Sequence, residues 1–93
     1  MMRPDWEQLR DETAAAQLTF LDAEADTGIT LASIALKASD PEKISRNAAS
    51  ARKAYEVMSS HIASLPPDTP GLEGVRQKMA TLRDMLQLLE GKG

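Results

Sequence analysis

Three segments of the chain carry apolar residues at helical spacing. From Ile44 to Leu65 these residues recur in alternating steps of four and three, and similar spacing returns from Leu72 to Leu89. Such spacing places side chains along one side of an α-helix. The sequence lacks a sustained alternation of apolar and polar residues, which is the pattern typical of strands. It therefore predicts an all-α protein.

The second helix has recognisable signals at both ends. Asp40 suits the N-cap because its carboxylate can accept hydrogen bonds from free backbone amides, and Pro41 suits the first helical position. A residue that precedes proline avoids the helical region, so Pro66 and Pro67 should stop the helix. We expect this helix to span residues 41–65.

The third helix shows a similar arrangement of end signals. Asp68 or Thr69 can cap it, Pro70 can occupy its first position, and Gly91 can terminate it. These signals predict a helix over residues 70–90.

The first helix is the longest of the three, because no proline occurs between Pro4 and Pro41. We expect it to span residues 5–38. Two apolar faces lie side by side on it. One face has the spacing Trp6, Leu9, Thr13, Ala16, Phe20, Ala23, Thr27, Leu31, Ile34 and Ala38. The second face contains Leu21, Ala25, Ala32 and Ala35.

Gly28 falls in the middle of this first helix. Glycine costs about 1 kcal/mol relative to alanine in a helix interior, so its presence needs a reason. Its neighbours on the same face, Ala25 and Ala32, are also small. We interpret Gly28 as a site of close approach between helix axes; the alternative is a break or kink at Thr27–Gly28.

Short connections between the helices predict antiparallel neighbours and an up-down-up three-helix bundle that forms one domain, residues 1–93. In that arrangement the first helix is longer than its partners. Residues 1–14 would project beyond the bundle by up to about 20 Å, at 1.5 Å per residue. Trp6, Leu9 and Thr13 would then be available to another chain. Alternatively, the segment bends back and caps the open end of the bundle.

Composition narrows the possible functions. Hydrophobic residues make up 42% of the chain, but only Trp6, Phe20 and Tyr55 are aromatic, so the core must be mainly aliphatic. The absence of cysteine excludes disulfides and thiolate nucleophiles. A net charge of −3 argues against a general nucleic-acid-binding protein. The N-terminus does not resemble a signal peptide and no run of about 18 apolar residues exists, so we expect a cytoplasmic protein without a membrane partner.

Charge is distributed unevenly between the two parts of the chain. Residues 1–40 carry three basic and eight acidic side chains, whereas residues 41–93 carry eight basic and six acidic ones. The antiparallel arrangement puts Asp22, Glu24 and Asp26 level with Arg52 and Lys53. We therefore expect ion pairs between the first and second helices.

A functional alternative exists for the basic side chains of the second helix. Arg46, Ser50 and Lys53 share one face of that helix and could bind a phosphate group or an acidic peptide. A cluster of four basic residues without interleaved aromatic residues is weak support for nucleic-acid binding.

The sequence contains no recognisable catalytic or metal-binding constellation. His61 is the one histidine, and it falls near the predicted end of the second helix, where its cation would interact favourably with the helix dipole. Asp22 and Asp26 share a helix face, but metal sites in helical bundles use Glu-x-x-His motifs, which this sequence lacks. No glycine-rich phosphate loop is present. We expect neither an enzyme nor a bound cofactor.

The stretch ARKAYEVMSSHIASLPP, residues 51–67, resembles the second helix of a tetratricopeptide repeat. Ala51 and Tyr55 stand four residues apart, as the small and aromatic residues of that helix do, and Leu65 precedes Pro66. The proline comes about one turn late, and no second copy at a period of about 34 residues is visible. The microtubule-interacting-and-trafficking domain has a similar three-helix outline. Either resemblance implies a non-catalytic scaffold that receives a peptide or helix in a groove.

These observations predict a module that binds another protein or a second copy of itself. The first candidate surface is Trp6, Leu9 and Thr13 on the projecting helix. The second is a groove beside the third helix, where Met79, Met85 and Leu88 would form an adaptable apolar surface.

Overall fold

The computed structural model describes the backbone of residues 5–92 and the side chains of residues 12–91. Three helices account for most of this region: α1 (Asp5–Lys37), α2 (Pro41–Ile62) and α3 (Leu72–Lys92). No strand occurs within the described residues. The predicted all-α fold with a long first helix is confirmed.

Contacts between α1 and α2 show that these helices run in opposite directions. A Cβ placed on Gly28 would lie 3.2 Å from the Cβ of Ala54. The rings of Phe20 and His61 also face each other, with centroids 5.9 Å apart. Residue numbers therefore rise along α1 as they fall along α2, so α2 returns antiparallel to α1.

Contacts between α1 and α3 show that these two helices run in the same direction. The Nζ atom of Lys78 lies 2.8 Å from an Asp22 carboxylate oxygen. Further along both helices, Leu82 contacts the position of Gly28. The chain is thus an up-down-up bundle, as the short connections predict.

Small side chains fill much of the core. Leu21, Met58, Val75 and Leu82 are its largest fully buried residues. Alanine supplies seven other buried positions, namely Ala14, Ala25, Ala32, Ala35, Ala48, Ala51 and Ala54. This composition confirms the predicted aliphatic core and lets the helix axes approach each other closely.

Gly28 is the site where this close approach is most evident. A Cβ at this position would lie only 2.7 Å from Cδ2 of Leu82. The helix assignment continues through Thr27 and Gly28 without interruption. Gly28 therefore serves helix packing, and the alternative of a break at this point is wrong.

The two ends of α2 differ in how well the sequence predicts them. Asp40 is the N-cap, because its Oδ1 accepts a hydrogen bond from the backbone amide of Glu42 at 3.2 Å. The helix ends at Ile62, three residues before the predicted end. Beyond it, the amide of Leu65 donates to the carbonyl oxygen of Ile62, which tightens the chain into a turn before the prolines.

The start of α3 differs from the prediction. Neither Asp68 nor Thr69 caps the helix, which begins at Leu72. The Thr69 hydroxyl instead donates to the carbonyl oxygen of Pro66 at 2.6 Å, within the connecting loop. Gly71 then adopts a φ of 86°, a conformation that glycine reaches without steric cost.

The C-terminal end of α3 also differs from the prediction. Gly91 does not terminate α3, which continues to Lys92. A terminating glycine usually takes a positive φ, and within the described residues Gly71 alone does so.

Of the two apolar faces on α1, only one is buried in the bundle. Leu21, Ala25, Ala32 and Ala35 have no exposed surface. In contrast, Phe20 is 47% exposed and Ile34 is 38% exposed. Of the positions predicted to share their face, Ala16, Ala23 and Thr27 are also exposed, whereas Leu31 and Ala38 are half-buried and Leu31 packs against the core. Thr30, outside the predicted set, is exposed beside them. The small residues face inward because they permit α2 and α3 to pack close to α1.

Candidate interaction surface

The exposed stripe on α1 is the most distinctive surface of the described structure. We define the outer face of α1 as Ala16, Phe20, Ala23, Thr27, Thr30 and Ile34, all of them exposed. Their steps of four and three residues align them along one side of the helix. The stripe is roughly 27 Å long at 1.5 Å per residue.

The stripe itself contains no charged residue, and three acidic residues of α1 lie within its length. Asp26 is exposed, whereas Asp22 and Glu24 are half-buried. Exposed charged residues are frequent on the other two helices. On α2 they are Glu42, Lys43, Arg46, Arg52, Lys53 and Glu56, and on α3 they are Glu73, Arg76, Arg83, Asp84 and Glu90. A contiguous surface that combines apolar residues with a lack of charge is typical of an interaction site.

Phe20 is held in place on this face by α2. Its ring packs against the imidazole of His61 at an interplanar angle of 54°. The imidazole is oriented by a hydrogen bond of 2.8 Å from Nδ1 to the carbonyl oxygen of Val57, which can only accept. The largest apolar side chain of the outer face is therefore supported by a neighbour on α2. His61 lies in the last turn of α2, as the sequence indicates.

The acidic residues of α1 pair with α3, which corrects the expected pairing with α2. Lys78 lies 2.8 Å from Asp22 and 2.9 Å from Asp26. Hydrogen bonds from Lys78 to Asp22 and then to Asp26 raise the pKa of the Lys78 ammonium above its ordinary value. Among the described residues, no ion pair joins these carboxylates to Arg52 or Lys53. The reason is that Asp22 and Asp26 lie on the side of α1 that faces α3.

The basic side of α2 is open to solvent. Arg46, Ser50 and Lys53 are all exposed, and their spacing places them on one face of the helix. None of the ion pairs found among the described residues involves Arg46 or Lys53. Their predicted role in anion binding stays a prediction.

The predicted surface near the N-terminus falls mostly outside the described side chains. Trp6 and Leu9 precede the first of these, at residue 12. Thr13 is exposed, but the next residue, Ala14, is buried in the core. The segment expected to project from the bundle therefore does not include Ala14.

The residues of the second predicted surface lie along α3 in different environments. Met79 and Met85 are partly buried against the core, whereas Leu88 is 64% exposed. Their role as an adaptable apolar surface stays a prediction.

A shallow groove of about 310 Å³ runs between α2 and α3. Its lining consists of Arg52, Tyr55, Glu56, Arg83, Leu86, Gln87 and Glu90. Two arginines and two glutamates balance in charge, so the groove favours neither an anion nor a cation.

Two further searches of the described residues bear on function. No cluster of three or more histidine or acidic side chains there is placed to hold a metal ion. Nor does this part of the chain contain a helix with the length and apolar character needed to cross a membrane.

Comparison with known proteins does not assign the chain to a family. A scan against family models and searches of curated proteins and solved structures found no match.

Proposed function

We propose that this chain is a non-catalytic helical module that associates with a second copy of itself through the outer face of α1. The observation that supports this role is the exposed, nearly uncharged stripe from Ala16 to Ile34. A helix that stays in contact with water usually carries charged residues on its exposed side. The outer face of α1 lacks them and presents Phe20 and Ile34 instead.

Electrostatics favour a second outer face as the occupant of this surface. Burying an unpaired charge in an interface costs several kcal/mol, roughly, whereas two uncharged faces can meet without that cost. The exposed sides of α2 and α3 carry many charges, and some of these charges would be left unpaired if either helix packed on the outer face. A second copy of the outer face would introduce no such unpaired charge.

The expected affinity is moderate. The outer face contributes six side chains, four of which are alanine or threonine, so the contact is small compared with the roughly 1,200–2,000 Å² of a standard specific interface. We therefore expect dissociation on dilution.

Trp6, Leu9 and Thr13 continue the spacing of the outer face toward the N-terminus. We propose that they also contribute to association. Replacing Trp6 with alanine should then weaken association, because a large aromatic side chain commonly contributes more than 1 kcal/mol, roughly, to an interface.

Sedimentation equilibrium over a wide concentration range tests the proposal. We expect the full chain to dimerise, and we expect Phe20→Glu to raise the dissociation constant at least tenfold, roughly the effect of losing 1.4 kcal/mol. Ala49→Glu is the matched control, because it also introduces a carboxylate at an exposed apolar residue, on α2 and outside both predicted surfaces. Circular dichroism establishes that both variants remain helical. A full chain that stays monomeric at millimolar concentration, or equal effects of the two variants, would contradict the proposal.

The resemblance of residues 51–67 to a tetratricopeptide helix supports the same functional class, since such helices act in protein binding. Ala51 is buried and Tyr55 half-buried, which are the environments expected of packing residues. The alternative occupant of the outer face is a protein of a different sequence. A chain that stays monomeric and binds such a protein through α1 would favour this alternative.

A second candidate function is anion binding by α2. It is supported by the exposure of Arg46, Ser50 and Lys53 on one face of α2. Titration of inorganic phosphate, followed by NMR, should shift the amide signals of these residues in a salt-sensitive manner. The shifts should decrease in Lys53→Ala and persist in the control Arg76→Ala. Uniform small shifts across the chain would instead indicate non-specific binding.

A further inference from the structure

We infer that two copies pair through the outer faces of α1 in antiparallel orientation, about a two-fold axis that crosses the interface at the level of residue 25. This inference rests on the proposed self-association and adds its geometry. It follows from three properties of the outer face, which are its symmetry, its distribution of side-chain sizes and the charges at its ends.

The positions of the outer face are symmetric about residue 25. Position 16 is as far from residue 25 as position 34, and the same holds for 20 with 30 and for 23 with 27. A two-fold dimer requires each position i to face position j while j faces i. An antiparallel pair of helices centred on residue 25 meets this requirement at all six positions.

Side-chain sizes are complementary in this register. Ile34 of one copy would face Ala16 of the other. Phe20 would face Thr30, and Ala23 would face Thr27. Each large side chain thus meets a small one, which permits close packing along the whole stripe.

The parallel arrangement lacks this complementarity. Phe20 would meet its own counterpart, and so would Ile34, while Ala16 and Ala23 would face alanine in the second copy. The helices would be held apart at the large residues, and gaps would remain at the small ones. Unfilled space in an interface forfeits dispersion contacts.

Charges at the two ends of the outer face favour the same orientation. Glu12 and Lys37 are both exposed, one before the stripe and the other after it. The antiparallel register brings Lys37 of one copy level with residue 13 of the other, beside Glu12. A parallel pair would instead place like charges next to each other, which is unfavourable.

Asp26 is the exposed charged residue nearest to the proposed axis, where it would approach its own symmetry mate. Lys78 lies 2.9 Å from its carboxylate and offsets this charge within the same chain. The ion pair with α3 therefore reduces a repulsion that would otherwise oppose the antiparallel dimer. Glu24 is equally close to the axis and is half-buried, and the next positions of the outer face, Ala23 and Thr27, are uncharged.

Disulfide cross-linking of the full chain tests the orientation. The sequence has no cysteine, so each introduced thiol can react only with a thiol on a second molecule. An Ala16→Cys chain labelled with heavy isotopes is mixed with an unlabelled Ile34→Cys chain and oxidised mildly. We expect the mixed disulfide to form faster than either homodimer by at least tenfold, because facing cysteines lie within roughly 4–7 Å between Cα atoms.

A control variant measures cross-linking by random collision. Leu88→Cys places a thiol at an exposed site on α3, away from the outer face. Its rate of homodimer formation sets the background. The mixed Ala16→Cys and Ile34→Cys product must exceed that background to support the inference.

The possible outcomes separate the orientation from the self-association. Preferential Ala16→Cys homodimers would overturn the antiparallel inference while leaving self-association through this face intact. Rates equal to the Leu88→Cys background, in a chain that sedimentation shows to be dimeric, would overturn both the orientation and the face. A chain that sediments as a monomer at every concentration would overturn self-association itself.

Discussion

Helix α1 presents two uncharged faces on opposite sides, and the bundle covers one of them. The inner face, Leu21, Ala25, Gly28, Ala32 and Ala35, packs against α2 and α3. The outer face has similar spacing and a similar lack of charge, yet it remains in contact with solvent. The spacing of apolar residues indicates that a helix face tends to be buried. It does not indicate whether the same chain or another chain buries it.

The two faces differ most in side-chain size. Among the residues of α1 with no exposed surface, Leu21 alone is larger than alanine, and larger side chains pack at the edges of this face, namely Leu18, Ile29, Leu31 and Leu36. The small residues at its centre permit close approach of the neighbouring helices. The outer face has Phe20 and Ile34, which extend further from the helix axis. Close packing of three helices favours the first kind of surface in a small bundle.

The largest expected contrast between the faces is in folding stability. Leu21→Ala removes a fully buried side chain and should lower the free energy of unfolding by about 2–5 kcal/mol. This loss is a large fraction of the total stability of a small protein. Phe20→Ala, measured at low concentration, should cost less than about 1 kcal/mol because the side chain is half exposed. Urea unfolding compares them. Equal losses would show that Phe20 is part of the core of the monomer.

A second comparison separates close packing from helix propensity. Gly28→Ala should be destabilising by about 1 kcal/mol, because overpacking against Ala54 and Leu82 outweighs the propensity gained. Gly74→Ala is the matched control, since a Cβ there would meet no atom within 4 Å. It should be stabilising by up to about 1 kcal/mol. The two substitutions should shift the thermal midpoint in opposite directions, and a stabilising Gly28→Ala would refute the close contact.

The smallest expected effect concerns the ion pairs at the border of the outer face. Lys78→Gln should reduce the stability of the bundle slightly, and the loss should vanish at about 1 M salt, where the Debye length is about 3 Å. Because the folded state raises the pKa of Lys78, its contribution is fully present below the reference value of 10.5. It disappears as pH rises through the higher pKa of the folded state.

Urea unfolding of both proteins between neutral and strongly alkaline pH measures this difference. We expect the difference in unfolding free energy between wild type and Lys78→Gln to stay constant in moderately alkaline solution. The difference should disappear only at pH values above those at which an ordinary lysine titrates. If it disappears near neutral pH, a group other than Lys78 is responsible.

Local signals in the sequence predict most of the fold. The spacing of apolar residues indicates three helices, and the Asp40–Pro41 pair marks the start of α2. Gly28 is identifiable as a contact because glycine in a helix interior needs a packing reason. These features depend on residues within a few turns of each other.

Features that depend on the arrangement of three helices were not predictable in the same way. Lys78 pairs with Asp22 and Asp26 because α3 lies on that side of α1, and the spacing along α1 does not reveal which side it takes. The predicted N-cap of α3 was wrong because the helix begins only at Leu72, after the positive φ of Gly71. The outer face was visible as a stripe, but only the packed bundle shows that it stays uncovered.

The alanine-rich core has a consequence for how the protein responds to its own abundance. Alanine loses no side-chain entropy on folding, but it also buries little apolar surface, so such a bundle has a narrow margin of stability. Association with a second copy would widen that margin by about 2.7 kcal/mol when the free protein exceeds the dissociation constant a hundredfold. At low concentration the dimer would dissociate and this stabilisation would be lost. A larger fraction of the chains would then be unfolded, so proteases would degrade the protein faster when little of it is made.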